Sequence, residues 1–171
     1  MNRGIFYYLM IPLIVVACLL QATALTRFRL YGVKPDLVLL LVVVGTLIYG
    51  GRAGLLWAFL GGLGLDILSG GPFGASSLAM MMAALVAGLG HRTLSRYNLL
   101  VPLAAMALST VVYAGAYLAI LAVLQYLRVA SHAMPFWPTV QNIVVPAVIY
   151  NSALIVALAP FLNRIPENQE L

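Results

Sequence analysis

Charge is scarce in this sequence. Of its 171 residues only 8% are charged, and just four are acidic. A soluble domain carries about 25% charged residues and roughly 45–50% apolar ones. Here 64% are hydrophobic and the mean hydropathy is +1.06. So few charges cannot cover a water-facing surface, and the hydrocarbon of a bilayer becomes the solvent. The single cysteine, Cys18, excludes an internal disulfide and any cysteine-based metal cluster. Alternation is missing too. Strands of a membrane barrel alternate apolar and polar every second residue, and runs such as Leu37 to Ile48 do not.

What the sequence has is long apolar runs, each near the roughly 17–25 residues that a spanning helix needs. They predict an all-α integral membrane protein, a bundle of about six transmembrane helices in a single domain over 1–171. The spans fall at about 4–25, 36–50, 53–69, 75–90, 99–127 and 139–162. Val15 to Cys18 and Ala22 to Ala24 loosely resemble cleavage boxes. The run from Ile5 to Leu25 nevertheless exceeds the ~7–15-residue core of a signal peptide, so the first span is expected to be retained. The fifth run is too long for a perpendicular helix and must tilt, bend near Pro102 or project. Pro146 cannot donate to the carbonyl of Asn142, which predicts a local bend in the sixth.

A formal net charge of +5 would suggest nucleic acid for a soluble protein. Here the cations sit between apolar runs, where they meet lipid headgroups; the implied partner is membrane lipid, not nucleic acid. With six spans both termini share a side. That side collects Arg3, Arg52, Arg92, Arg96 and Arg164, against Arg27, Arg29, Lys34 and Arg128 on the other. The small excess places the termini in the cytoplasm.

Candidate functional residues cluster early. Gly54, Ala58, Gly61 and Gly62 share one face of the third span, and Asp66 continues the series. In lipid, such small residues let a neighbouring backbone approach closely. That neighbour is either another span or a partner protein. Asp36 directly precedes an apolar run and is placed to cap its first turn. Asp66 lies near the end of its helix, where the macrodipole disfavours an anion, so it is expected to meet an arginine or a backbone donor. By alternation of the spans, Arg27, Arg29 and Lys34 lie on its side of the membrane and are candidate ion-pair partners. Thr110, Tyr113 and Tyr117 share a face of the fifth span, and Asn142, Pro146 and Tyr150 one of the sixth. Interhelical hydrogen bonds and a ligand cavity are the two readings of these faces.

Signatures of catalysis are missing. There is no His-Glu-x-x-His, no Gly-x-Ser-x-Gly and no glycine-rich nucleotide loop. Ser76 and Ser77 precede His91 by one span, but no third orienting group accompanies them. His91 and His132 read as interfacial residues. Neither a cofactor nor a metal is implied.

The segments Pro35-Asp36-Leu37-Val38-Leu39-Leu40, Gly50-Gly51, Gly61 to Ser69, and Gly71-Pro72-Phe73-Gly74 together resemble the MreD family of rod-shape proteins. In that family a proline–aspartate opens the second span, and a glycine-rich helix ends in an aspartate before a glycine loop. The resemblance implies a non-enzymatic scaffold of the cell-elongation, peptidoglycan-synthesis complex in the bacterial inner membrane. It implies MreC as partner, and beyond it MreB, RodA and a class B penicillin-binding protein. It draws Pro35, Asp36, Gly54, Ala58, Gly61, Gly62, Asp66, Pro72 and Gly74 together as partner-binding or structural residues. The family also resembles in fold the substrate-binding subunits of energy-coupling-factor transporters. The alternative function is therefore a small-molecule-binding subunit of a vitamin-type transporter. Those subunits carry a small-residue repeat on their first span; here Ala17 is followed four residues later by Gln21, and the repeat is absent at this position.

Without a nucleophile, base and orienting group, the purified chain is expected to turn over no lipid or peptide substrate. Turnover abolished by Ser76→Ala or His91→Ala would contradict this reading.

Overall fold

A computed structural model describes the backbone of residues 3–23, 35–91, 99–127 and 136–162, and the side chains of 8–23, 35–91, 99–127 and 137–158. The described residues are helical apart from their turns. The order is α1 (Arg3–Thr23), α2 (Leu37–Tyr49), α3 (Gly51–Ser69), α4 (Ala75–Leu89), α5 (Leu100–Tyr126), α6 (Phe136–Thr139), a π-helical segment (Val140–Val144) and α7 (Val145–Leu162).

The expectation of six spans, in a fold like that of the energy-coupling-factor subunits, needs correction. Among the described residues three helices are long and apolar enough to cross a membrane: Gly51–Ser69, Leu100–Tyr126 and Trp137–Leu158. The other apolar helices are shorter over the residues whose side chains are described: Tyr8–Thr23, the described part of the 21-residue α1, with Leu37–Tyr49 and Ala75–Leu89. The reason is that the second and fourth runs form helices close to their expected bounds, and those helices are shorter than a span. Glycine turns at Gly50, Gly70–Gly74 and Gly90 close α2 at its end and α4 at both ends before they reach full length. The 13 residues of α2 rise about 20 Å, against a hydrocarbon core of about 30 Å. An apolar helix of that length is a buried core element before it is a span.

The packing bears this out. α2 touches α1, α3, α4, α5 and α7, and Val38, Leu39, Val42 and Val43 have no exposed surface. Around it Trp57, Ala58, Met80, Ala83, Ala84 and Met106 complete the core. Tyr49 meets Trp57 edge-on, with ring centroids 5.4 Å apart. The outer side of α1 is apolar and exposed from Tyr8 to Leu20, as lipid contact requires.

The longest helix, α5, runs unbroken for 27 residues, about 40 Å at helical rise, so it must tilt or project. Pro102 sits three residues into it, where its missing N–H would have no intrahelical partner anyway. In the last helix the register slips ahead of Pro146. Val145 donates to the carbonyl of Val140, five residues back, and the π-helical segment takes up the strain of the proline.

The small-residue ridge of α3 faces inward. Gly54, Ala58, Gly61, Gly62 and Asp66 are all buried. A Cβ at Gly54 would meet Thr46 of α2, and one at Gly61 would come within 2.7 Å of Val38. One at Gly62 would overlap the backbone of Ser76 and Ser77 in α4. Backbone cannot swing aside as a side chain can, so α3 and α4 approach this closely only because residue 62 has no side chain.

Gly62→Ala is therefore expected to lower the Tm of the detergent-solubilised protein, by an overpacking cost of about 1–3 kcal/mol or more. Gly115→Ala is the control: nothing lies within 4 Å of its added Cβ, and alanine is the better helix former by about 0.8–1.0 kcal/mol. Equal effects at both positions would show that the α3–α4 contact is not tight.

Candidate functional site

A helix that ends inside a bundle leaves N–H groups that no water can reach, and polar side chains must satisfy them. Two carboxylates do this here.

The first is Asp36, the N-cap of α2. Its Oδ1 accepts from the Leu39 N–H at 2.9 Å, the geometry expected of an aspartate before an apolar helix. It also accepts from Gln21 Nε2 at 3.0 Å. Gln21 lies two residues from the end of α1 and is only 5% exposed. Its own Oε1 accepts from the Val38 N–H at 3.2 Å. The backbone N–H of Asp36 donates to Asn151 Oδ1 of α7 at 3.0 Å. Asn151, 1% exposed, donates in turn to Thr110 Oγ1 of α5 at 3.3 Å, and Thr110 donates to the Met106 carbonyl at 2.8 Å. One connected network thus ties α1, α2, α5 and α7 together at the start of the central helix.

The second is Asp66. Gly74 occupies the N-cap of α4 with φ 90°, a conformation that favours glycine. A glycine has no side chain with which to cap, so the acceptor must come from elsewhere. Asp66 supplies it: its Oδ2 accepts from the Gly74 N–H at 2.8 Å and its Oδ1 from the Ser76 N–H at 3.1 Å. The carboxylate is 3% exposed. Near the unfavourable end of its own helix dipole, it faces the favourable end of the next.

Two tyrosines of α5 lie near the pair. Tyr113 lies beside Ser76 and near both carboxylates. Its ring lies against that of Tyr117 at 6.3 Å between centroids. At the far end of the bundle, His91 Nδ1 donates to the Leu47 carbonyl at 2.7 Å and closes the last turn of α2.

These placements decide what the arrangement can do. The polar groups are engaged in holding helix ends and neighbouring helices. Ser76 and His91 sit at opposite ends of α4, about 22 Å apart by helical rise, so they cannot form a catalytic pair. Ser77 donates to the Phe59 carbonyl at 3.2 Å. Among the described residues no group of three or more His, Cys, Asp or Glu could hold a metal. Of the candidates read from sequence, Asp36 and Asp66 are placed at two helix starts, and Pro35, Pro72 and Gly74 beside them. Gly54, Ala58, Gly61 and Gly62 form the packing face. Asn142 and Tyr150 lie outside the network. Arg27, Arg29 and Lys34 fall outside the described residues, as do His132 and nearly all the charges on which the orientation of the termini rests. Gln21 and Asn151 were not picked out by sequence reasoning. The one signal they give is a lone amide interrupting an apolar run.

Comparison with protein-family models matches residues 2–165 to the rod shape-determining protein MreD. No curated protein and no solved structure gives a significant match.

Gln21→Ala and Asn151→Ala remove separate partners of Asp36 and its N–H. Each leaves a buried polar group unsatisfied, at about 1–3 kcal/mol. Because both act on one residue, the double variant is expected to lose less stability than the sum of the two. A coupling of about 0.5–3 kcal/mol in a thermal or denaturant double-mutant cycle is the expected signature, and strict additivity would dissolve the network.

Proposed function

The chain belongs to the MreD family of rod shape-determining proteins, and from that premise we propose how it serves the cell-elongation complex. It is a non-enzymatic, multi-pass protein of the bacterial inner membrane and a scaffold of the elongasome. On our reading its direct partner is MreC. MreB, RodA and a class B penicillin-binding protein join through the same assembly, and the chain acts as one transmembrane domain over 1–171.

The observation that carries this reading is the way polar side chains within the bundle are used. Asp36, Asp66, Gln21 and Asn151 are engaged with backbone and with one another, leaving a stiff body and not a reaction centre. A scaffold needs that stiffness, since it holds partners at fixed positions. The ridge residues Gly54, Ala58, Gly61 and Gly62 then act on partner binding indirectly, by setting how α3 sits against α2 and α4. Asp66, Pro72 and Gly74 fix the α3–α4 reversal in the same way, and Pro35 and Asp36 the start of α2.

Asp66→Asn separates charge from shape. An amide offers one acceptor oxygen where the carboxylate offers two, so one of the N–H groups of Gly74 and Ser76 would face an NH₂ group. The variant is expected to insert normally, to be destabilised by about 1–3 kcal/mol, and to retain less MreC on co-purification while cells lose rod shape. Normal MreC recovery and normal rods with this variant would remove Asp66 from any account of the scaffold.

A further inference from the structure

Polar side chains that face outward from a membrane-spanning helix call for a partner, because hydrocarbon offers no hydrogen bonds. Gln141 and Asn142 are such residues. Both are exposed, both lie in the membrane-length stretch Trp137–Leu158, and no residue of Val140–Val144 is buried. Neither side-chain amide has a hydrogen-bond partner among the described residues.

The backbone adds a third free group. In an α-helix the Gln141 carbonyl would accept from Val145, but Val145 donates to Val140. In the π register the donor would be residue 146, which is proline and has no N–H. The Gln141 carbonyl therefore stands without a helical donor beside two free amides.

Headgroups do not serve all three. Trp137, 69% exposed, marks the interfacial level on this helix. Asn142 lies five residues further along, about 7 Å deeper at helical rise. A glutamine side chain can bend back some of that way. The shorter asparagine cannot.

We propose that this face, Gln141 and Asn142 with Ile143, Val145 and Ile149 around them, docks a second copy of this chain. An amide is both donor and acceptor, so the patch complements itself. A two-fold contact then satisfies both copies at once, with each residue meeting its counterpart's surroundings. The spare donors of one copy's amides also serve the Gln141 carbonyl of the other. Ile143, Val145 and Ile149, at 49%, 50% and 62% exposure, supply the packing surface that association in lipid requires. The stretch Trp137–Leu158 carries no charge, so nothing on it selects a partner of opposite sign.

The test uses this chain alone, without MreC, and so stands apart from the assignment above. In a Cys18→Ala background, Asn142→Cys membranes treated with an oxidant are expected to yield a disulfide-linked dimer. Leu13→Cys, on the exposed face of α1, should not. In lipid nanodiscs the wild-type chain should be dimeric, and the double variant Gln141→Leu, Asn142→Leu should be inserted, folded and monomeric. A wild-type monomer would overturn the proposal. So would a dimer that survives the double substitution, or cross-linking of position 142 to a different membrane protein in place of a second copy.

Discussion

Backbone N–H groups at a helix start have no intrahelical acceptor, and in a bilayer they have no water either. This constraint shapes the protein more than any other, because two of its apolar helices are too short to carry both ends to the headgroups. α2 and α4 have 13 and 15 residues, and both begin where a carboxylate from the same chain waits. Asp36 meets the first turn of α2 and Asp66 that of α4. Hydrogen bonds to charged groups contribute about 1.5–3 kcal/mol each. An ionised carboxylate in hydrocarbon costs several kcal/mol when it is alone. The helix start and the carboxylate each remove the other's penalty.

Once those ends are fixed, the rest of the packing follows. Gln21 and Asn151 bring α1 and α7 to the start of α2, and Thr110 brings α5. Asp66 closes the α3–α4 reversal, which lets Gly62 lie against the backbone of Ser77. Ser77 and Ser109 then add hydrogen bonds from α4 to α3 and from α5 to α4. The polar side chains of the network hold helices together inside the bundle, in keeping with an MreD-type scaffold that does no chemistry.

Much of the site was legible in the sequence, and the span count was not. An aspartate ahead of Leu37-Val38-Leu39-Leu40 announces a cap, because capping is local and three residues suffice to see it. The slip before Pro146 is local in the same sense. The bounds of the second and fourth runs were legible, because the glycines at 50, 70, 71, 74 and 90 mark them; that helices of 13 and 15 residues fall short of a span was not, because apolar residues fill both a buried helix and a spanning one. Asp66 was harder. Its acceptors point to a helix that begins eight residues later, at a glycine that cannot cap itself, and an arginine seemed an equally good partner. The link from Gln21 and Asn151 to Asp36 is hidden in the sequence for a plainer reason. They stand 15 and 115 residues from Asp36, and no periodicity connects residues that far apart.

The central claim is that Asp36 and Asp66 stand in for water at the starts of two short helices. Amide hydrogen exchange in lipid nanodiscs reads this directly at Leu39, Gly74 and Ser76. All three amides should be strongly protected in the wild-type protein. Asp66→Ala should release Gly74 and Ser76 while Leu39 stays protected. Fast exchange at these amides in the wild type, or unchanged protection of Gly74 and Ser76 in Asp66→Ala, would contradict the account.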